Sequence, residues 1–466
     1  MSIIGKRLRR NFFGAATAVA ALMPVGAMAE TLADALIDAY RNSNLLEQNR
    51  ALLRVADDEV AIAFSALLPT LDFITDFGGT HPNQFGTLGA TDNLSATFAL
   101  QADITLYAGG RNRLSVDAEK ETVLATREAL RSLEQNVLLQ AVAAYFGVLR
   151  AQAFVNLREN NVRVLTQEKQ ATEDRFEVGE VTRTDVALAD SRLAAAVSLL
   201  EAARGDYTIS RENFRTAVGR YPGDLETPGG LPATAATVQE AANVAVRTHP
   251  DIRQAQREVT VAEIGMKVAK GAYLPTVSAT ITSLTGTDEL YDDEEHSLGM
   301  RLSQPIYGGG RLAALERQAI SRRDSTRANL LQTTLGIEEQ VANAWANLEV
   351  AKAQIRATEL QIEAAQIAFD GTREEATLGA RTTLDVLDAE QELLDARAAR
   401  IDAIATQYVA VYSLLSAMGL LTVDHLNLGI QTYDPAGYYN AVKHSPARLS
   451  PRGQQLDRVL RRLGKQ

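Results

Sequence analysis

From Leu94 to Leu106 every even-numbered residue is apolar (Leu94, Ala96, Phe98, Leu100, Ala102, Ile104, Leu106), with Ser95, Thr97, Ala99, Gln101, Asp103 and Thr105 between them. A period of two predicts a strand. Over this length it is the pattern of a membrane strand with one lipid face and one watery face. Leu298, Met300, Leu302 and Ile306 repeat it against Ser297, Arg301 and Ser303. Leu71, Phe73 and Phe77, then Val277, Ala279 and Ile281, predict a weaker pair of strands. A sheet packed on a helical core alternates in the same way, so each strand alone leaves that choice open. A second period follows. Leu130, Leu133, Val137, Ala141, Ala144, Val148, Ala151 and Val155 advance in steps of three and four, a coiled-coil seam, and Leu138, Val142, Tyr145 and Leu149 draw another stripe beside it. One stripe serves one neighbour; two put the helix inside a wall. No proline interrupts Asn112 to Val178, and at 1.5 Å per residue such a helix spans roughly 100 Å.

The chain is internally duplicated. Leu68-Pro69-Thr70 recurs as Leu274-Pro275-Thr276, and Tyr107-Ala108-Gly109-Gly110-Arg111 as Tyr307-Gly308-Gly309-Gly310-Arg311. Gly179 with Asp185-Val186 recurs as Gly379 with Asp385-Val386, and Ala217-Val218-Gly219 as Ala417-Met418-Gly419. The last three anchors share an offset of 200 residues and the proline pair one of 206, so the second half has the shorter loop. Each half reads as a helix ending at the proline, two strands, a very long helix, a glycine turn and a second long helix. Gly109, Gly110, Gly309 and Gly310 let the chain swing from strand to helix, and Gly179 and Gly379 turn it between the long helices. As a phosphate cradle, Gly308-Gly309-Gly310 lacks the lysine and following hydroxyl residue of such a loop.

Four strands cannot close a barrel, and an open edge in lipid leaves backbone groups unpaired at several kcal/mol each. The smallest bacterial barrels have about eight strands. Several protomers must therefore share one barrel, and three would give twelve strands. Tyr107 and Tyr307, each at a strand end before glycines, fit an aromatic girdle. The expected fold is an all-α long-helix barrel joined to a membrane β-barrel. The first repeat is 30–230, the second 231–430, and 431–466 is an irregular tail, basic from Lys443 and expected to be mobile.

Composition narrows the class. Only 6% of residues are aromatic while 46% are hydrophobic, which suits long helices, and a net charge of −11 argues against a general nucleic-acid binder. Without cysteine there is no disulfide, thiolate metal site or acylated N-terminal cysteine. Residues 1–29 read as a secretory signal: Lys6, Arg7, Arg9 and Arg10, an apolar run from Phe12 to Val25, and Ala27-Met28-Ala29 before Glu30. Its removal takes the charge from −11 to −15. No later run of eighteen uncharged apolar residues predicts a spanning helix. Histidines 81, 249, 296, 425 and 444 lack ligand spacing. No nucleophile–base pair or cofactor loop is present, so neither catalysis nor a cofactor is expected. Asp288, Glu289, Asp292, Asp293, Glu294 and Glu295 are expected to form an acidic outer loop.

These residues resemble the TolC family of outer-membrane efflux channels, from Thr31 to about Tyr439. Leu384-Asp385-Val386-Leu387-Asp388-Ala389 and Tyr433-Asp434-Pro435 add to the resemblance, the latter pointing to the subgroup of type I secretion and drug efflux. The resemblance implies a homotrimer with a twelve-stranded β-barrel in outer-membrane lipid and a twelve-helix α-barrel across the periplasm. It also implies a periplasmic adaptor (membrane fusion) protein and an inner-membrane ABC exporter or proton-driven pump as partners. The glycine turns become a periplasmic gate, with Thr184 and Asp185 latched by Arg381, while Asp385 and Asp388 become a cation-selective ring. The family's further tyrosine contact falls on Ala376. Read without the resemblance, Asp185 and Asp385 are equally first-turn carboxylates favoured by the helix dipole, and Asp185 and Arg381 are solvated helix-end charges. The competing overall reading is a periplasmic coiled-coil adaptor or scaffold without a pore.

Overall fold

The computed structural model describes residues 30–80, 93–288, 291–448 and 450–462; the signal segment lies outside them. The first repeat comprises α1 (Leu32–Asn42), α2 (Asn44–Ser65), β1 (Thr70–Thr80), β2 (Asn93–Ala108), α3 (Arg111–Glu177) and α4 (Arg183–Val218). The second comprises α5 (Val238–Thr248), α6 (Pro250–Gly271), β3 (Thr276–Asp288), β4 (Tyr291–Ser303), α7 (Arg311–Thr377) and α8 (Thr383–Ala417). The duplication is therefore structural. α3 and α7 each have 67 residues, α2 and α6 each 22, and α1 and α5 each 11.

The strands form one antiparallel sheet in the order β1-β2-β3-β4. Residues directly opposite share a face, so Leu71, Ala102, Ile281 and Leu298 form one apolar row. Asp72, Gln101, Thr282 and Ser297 form the polar row beside it on the other face. The two hairpins have the same register once the repeat offsets are applied: Thr70 faces Asp103 in the first, and Thr276 faces Ser303 in the second. Their outer edges, β1 and β4, have no partner strand among the described residues of the protomer.

Two strand expectations need correction. β4 ends at Ser303, so Ile306 is not a strand residue and stands 97% exposed. Pro305, lacking an N–H, cannot extend the ladder. The acidic residues from Asp292 to Glu295 belong to β4 rather than to a loop, because pairing with β3 runs on to Asp288 and Tyr291.

The long helices pack as antiparallel hairpins, α3 with α4 and α7 with α8, and α3 also packs on α8. Their main core is equatorial. Leu36 and Ala39 of α1, Leu138, Val142 and Tyr145 of α3, Phe214 of α4 and Leu415 of α8 are buried there. The Tyr145 hydroxyl lies 2.9 Å from the Glu30 carbonyl and 2.5 Å from that of Glu226. Arg220 holds both Glu30 carboxylate oxygens at 2.9 Å and Asp38 at 2.7 Å, tying the segment before α1 to the end of α4. Residues of both predicted stripes of α3, Val137, Ala141 and Val148 of one and Leu138, Val142 and Tyr145 of the other, are buried in this one core. One 18-residue stretch of α3 is apolar enough by composition to span a membrane, and nearly half of it is buried within the protomer.

The tail is more ordered than its sequence suggested, with α9 (Pro435–Val442) and α10 (Pro451–Arg462). Asp434 caps α9, and the fixed φ of Pro435 suits its first turn. Tyr438 donates to Asp58 at 2.9 Å and Arg127 to the Pro435 carbonyl at 3.1 Å, so α9 docks on α2 and α3. In α10, Leu456 and Val459 stand one helical turn apart, a period too short to read within a run of charges.

Candidate functional site

The hairpin turns Gly179 and Gly379 lie at the end of the protomer opposite the sheet. Both have positive φ, 83° and 76°, and open space where a side chain would be, so backbone conformation alone demands glycine. Each closes its helix with a pair of crossed bonds. The Glu180 N–H reaches the Arg175 carbonyl and Gly179 that of Phe176; Ala380 reaches Glu375 and Gly379 that of Ala376. Gly110 and Gly310, with φ of 75° and 81°, start α3 and α7 at the sheet end. Gly109 (φ 62°) sits where a Cβ would come within 2.3 Å of the Gly271 carbonyl, whereas Gly309 (φ 60°) has nothing nearby.

After each turn the chain is capped the same way. Thr182 and Thr382 are the N-cap residues, and their backbone N–H groups donate to Asp185 and Asp385, each at 2.8 Å. The hydroxyls donate to the same carboxylates at 2.7 and 2.8 Å. Bonds from the Thr182 hydroxyl and backbone hold the Asp185 carboxyl below its usual range; Thr382, through backbone then hydroxyl, does so for Asp385. The first-turn reading of both aspartates therefore describes their bonding within one protomer. Asp185 and Arg381 do not pair inside the protomer. Arg381 instead donates to Glu375 at 2.8 Å, and that bond raises its pKa. Thr184 is exposed. Asp388 meets Arg192 of α4 at 2.9 Å. Ala376 is packed with Phe369, Val386 and Leu393, in a small core between α7 and α8.

Sequence reasoning missed the links between the two hairpins. Glu168 of α3, with only 8% of its side chain exposed, pairs with Arg373 of α7 at 3.1 Å. Asn161 of α3 donates to the buried Glu390 of α8 at 2.5 Å, and desolvation raises the Glu390 pKa despite that bond. With Arg192–Asp388 and, further from the tip, Arg150–Asp402 at 2.9 Å, these make four polar links between the hairpins among the described residues. The partners lie some two hundred residues apart or more and have no local signature. The caps did have one, a threonine three residues before each aspartate. Among the described residues no group of three or more histidines and carboxylates could hold a metal ion.

A sheet patterned for lipid, continued by helices of roughly 100 Å that end in a polar, capped tip, is the architecture of an outer-membrane channel protein that extends into the periplasm. The family described as outer membrane efflux protein matches residues 36–220 and 241–420, the two repeats. The chain belongs to that family. Outer membrane efflux protein BepC of Brucella suis is 36% identical over 423 residues, covering 90% of this chain and 91% of BepC. Alkaline protease secretion protein AprF of Pseudomonas aeruginosa is 27% identical over 317 residues, 66% of this chain and 65% of AprF. The Campylobacter jejuni CmeC outer membrane channel has the same fold, with TM-score 0.74 and 17% identity over 88% of this chain and 89% of CmeC. The protein is thus an outer-membrane efflux duct component that extends into the periplasm, from a family of transport proteins rather than enzymes.

Proposed function

We propose that three copies close into one passive exit duct, gated at its periplasmic tip, and that a periplasmic adaptor and an energised inner-membrane pump feed it. The observation that carries this reading is the incomplete repeat. Inside the protomer β2 pairs with β3, while β4 and β1, their repeat counterparts, are left as bare edges. Helix α6 packs between α3 and α7, while its counterpart α2 has only α3 of the two. The exposed stripe Leu45, Leu52, Val55 and Ile62 on α2, and Leu331 and Leu335 on α7, support the same missing neighbour. Repeating the internal junction between copies satisfies every edge, and three copies give the twelve strands of a closed barrel.

At the tip, the inter-hairpin links support a resting closed state, and Asp185 and Arg381 are free to meet across copies when Glu375 is exchanged. Asp385 and Asp388 of three copies would set six carboxylates around one entrance, a field that favours cations. Arg192 moderates that charge. The names of BepC and AprF support efflux and protease secretion respectively, and a pump of either kind suits the duct.

In planar bilayers the purified protein is expected to form cation-selective channels that multivalent cations block from the tip side. Asp385→Asn with Asp388→Asn, which keeps an acceptor for Thr382, is expected to remove most of the block and leave assembly intact. A scaffold without a pore would give no channels at all, and unchanged block would remove the aspartates from the entrance.

A further inference from the structure

The internal duplication carries more than the existence of a seam; it gives the seam's register. The β2–β3 junction places Gln101 directly across from Thr282 on the polar face. Moving Gln101 forward by 200 residues gives Arg301 of β4, and moving Thr282 back by 206 gives Asp76 of β1. These offsets already reproduce the register of the second hairpin from the first. We propose that Arg301 of each copy lies directly opposite Asp76 of the next and that this ion pair sets the register in which the barrel closes. The proposal rests on the ring of copies proposed above.

Three further observations agree. Asp76 shares its face with Thr97, and Arg301 with Ser278, so both belong to the polar, water-facing side. Both are exposed, and neither has an ion-pair partner among the described residues of the protomer. The same transfer sets Met300 against Phe77 on the lipid face, apolar against apolar. At the internal junction the matching pair is the neutral Gln101 and Thr282. Only the seam between copies has opposite charges face to face. Directly opposed charges on adjacent strands stabilise their pairing and penalise a slip of two residues, the smallest that keeps each face in its own solvent.

The protein has no cysteine, which makes cross-linking unambiguous. Opposed residues on antiparallel strands have Cα atoms about 4.5–5.5 Å apart, within disulfide range, while diagonal neighbours lie at about 7–8 Å. In outer membranes, Asp76→Cys with Arg301→Cys is expected to give reductant-sensitive covalent dimers and trimers. Asp76→Cys with Gly299→Cys, or with Ser303→Cys, is expected to give few. Trimers that cross-link through a slipped pair instead would overturn the register and leave the ring standing. Absence of oligomers in every variant and in the wild type would overturn the ring and the register with it. As a second readout, Arg301→Asp is expected to lower the temperature at which the detergent-resistant trimer dissociates, and adding Asp76→Arg to restore it. Failure of the swap to restore would remove the ion pair as the cause.

Discussion

Ile281→Arg is expected to abolish assembly in the outer membrane, whereas Thr282→Arg, one residue further along the same strand, is expected to leave it largely intact. Ile281 sits on the apolar face of β3, in a row with Leu71, Ala102 and Leu298. On one side lies the apolar row of Ile104, Ala279 and Met300, and on the other Phe73 and Leu100 with the polar Ser283 and His296, so an arginine there lies within the apolar band rather than at its outer margin. The cost at that depth is about 2–4 kcal/mol for each copy, and each barrel would contain three. Thr282 faces Gln101 and Ser297 on the watery side, where a guanidinium stays hydrated. Phe98→Arg should cost less than Ile281→Arg, because its row includes Thr75, Thr285 and Glu294 and so lies nearer the outer surface. Heat-modifiable migration of membrane-extracted protein reads all three. Equal assembly of the Ile281 and Thr282 variants would contradict the assignment of faces.

The second large effect is expected at the tip. Arg373→Ala leaves the Glu168 carboxylate almost buried and without its cation. Since Arg373 itself is half exposed, the pair is worth less than a fully buried one. A loss of about 1–2 kcal/mol per protomer is reasonable, roughly a tenfold shift toward the open state from each copy. Resting conductance in planar bilayers should rise, and cells should become sensitive to large antibiotics. Adding Glu168→Gln removes the stranded charge and should restore part of the closed population. Conductance equal to wild type at low salt would show that this link does not hold the tip.

Much of this architecture is legible in the sequence, because periodic patterns and duplicated anchors survive without an alignment. The alternation around Phe98 becomes β2, the proline-free stretch becomes the 67 residues of α3, and the second half repeats it. The tip is only partly legible. Its glycines and aspartates stand out by their repetition, and the structure gives each aspartate a threonine cap. Glu168–Arg373 and Asn161–Glu390 could not be found that way, since tertiary packing alone brings them together. The order of the tail is not legible locally, because α9 is held by Asp58 and Arg127 of distant helices rather than by a stripe of its own. The acidic run reads as a loop by its charge, yet the β3–β4 ladder includes Asp288 and Asp292 to Glu295, while Glu289 lies outside the described residues.

The central claim is that one chain supplies a third of a closed barrel. Single-particle imaging of the protein extracted from outer membranes tests it most directly. The expected result is a threefold particle with twelve strands at one end, β4 of each copy paired with β1 of the next, and twelve helices extending from it. A monomer with its own closed sheet, or a ring in which the β1 and β4 edges remain unpaired, would contradict it.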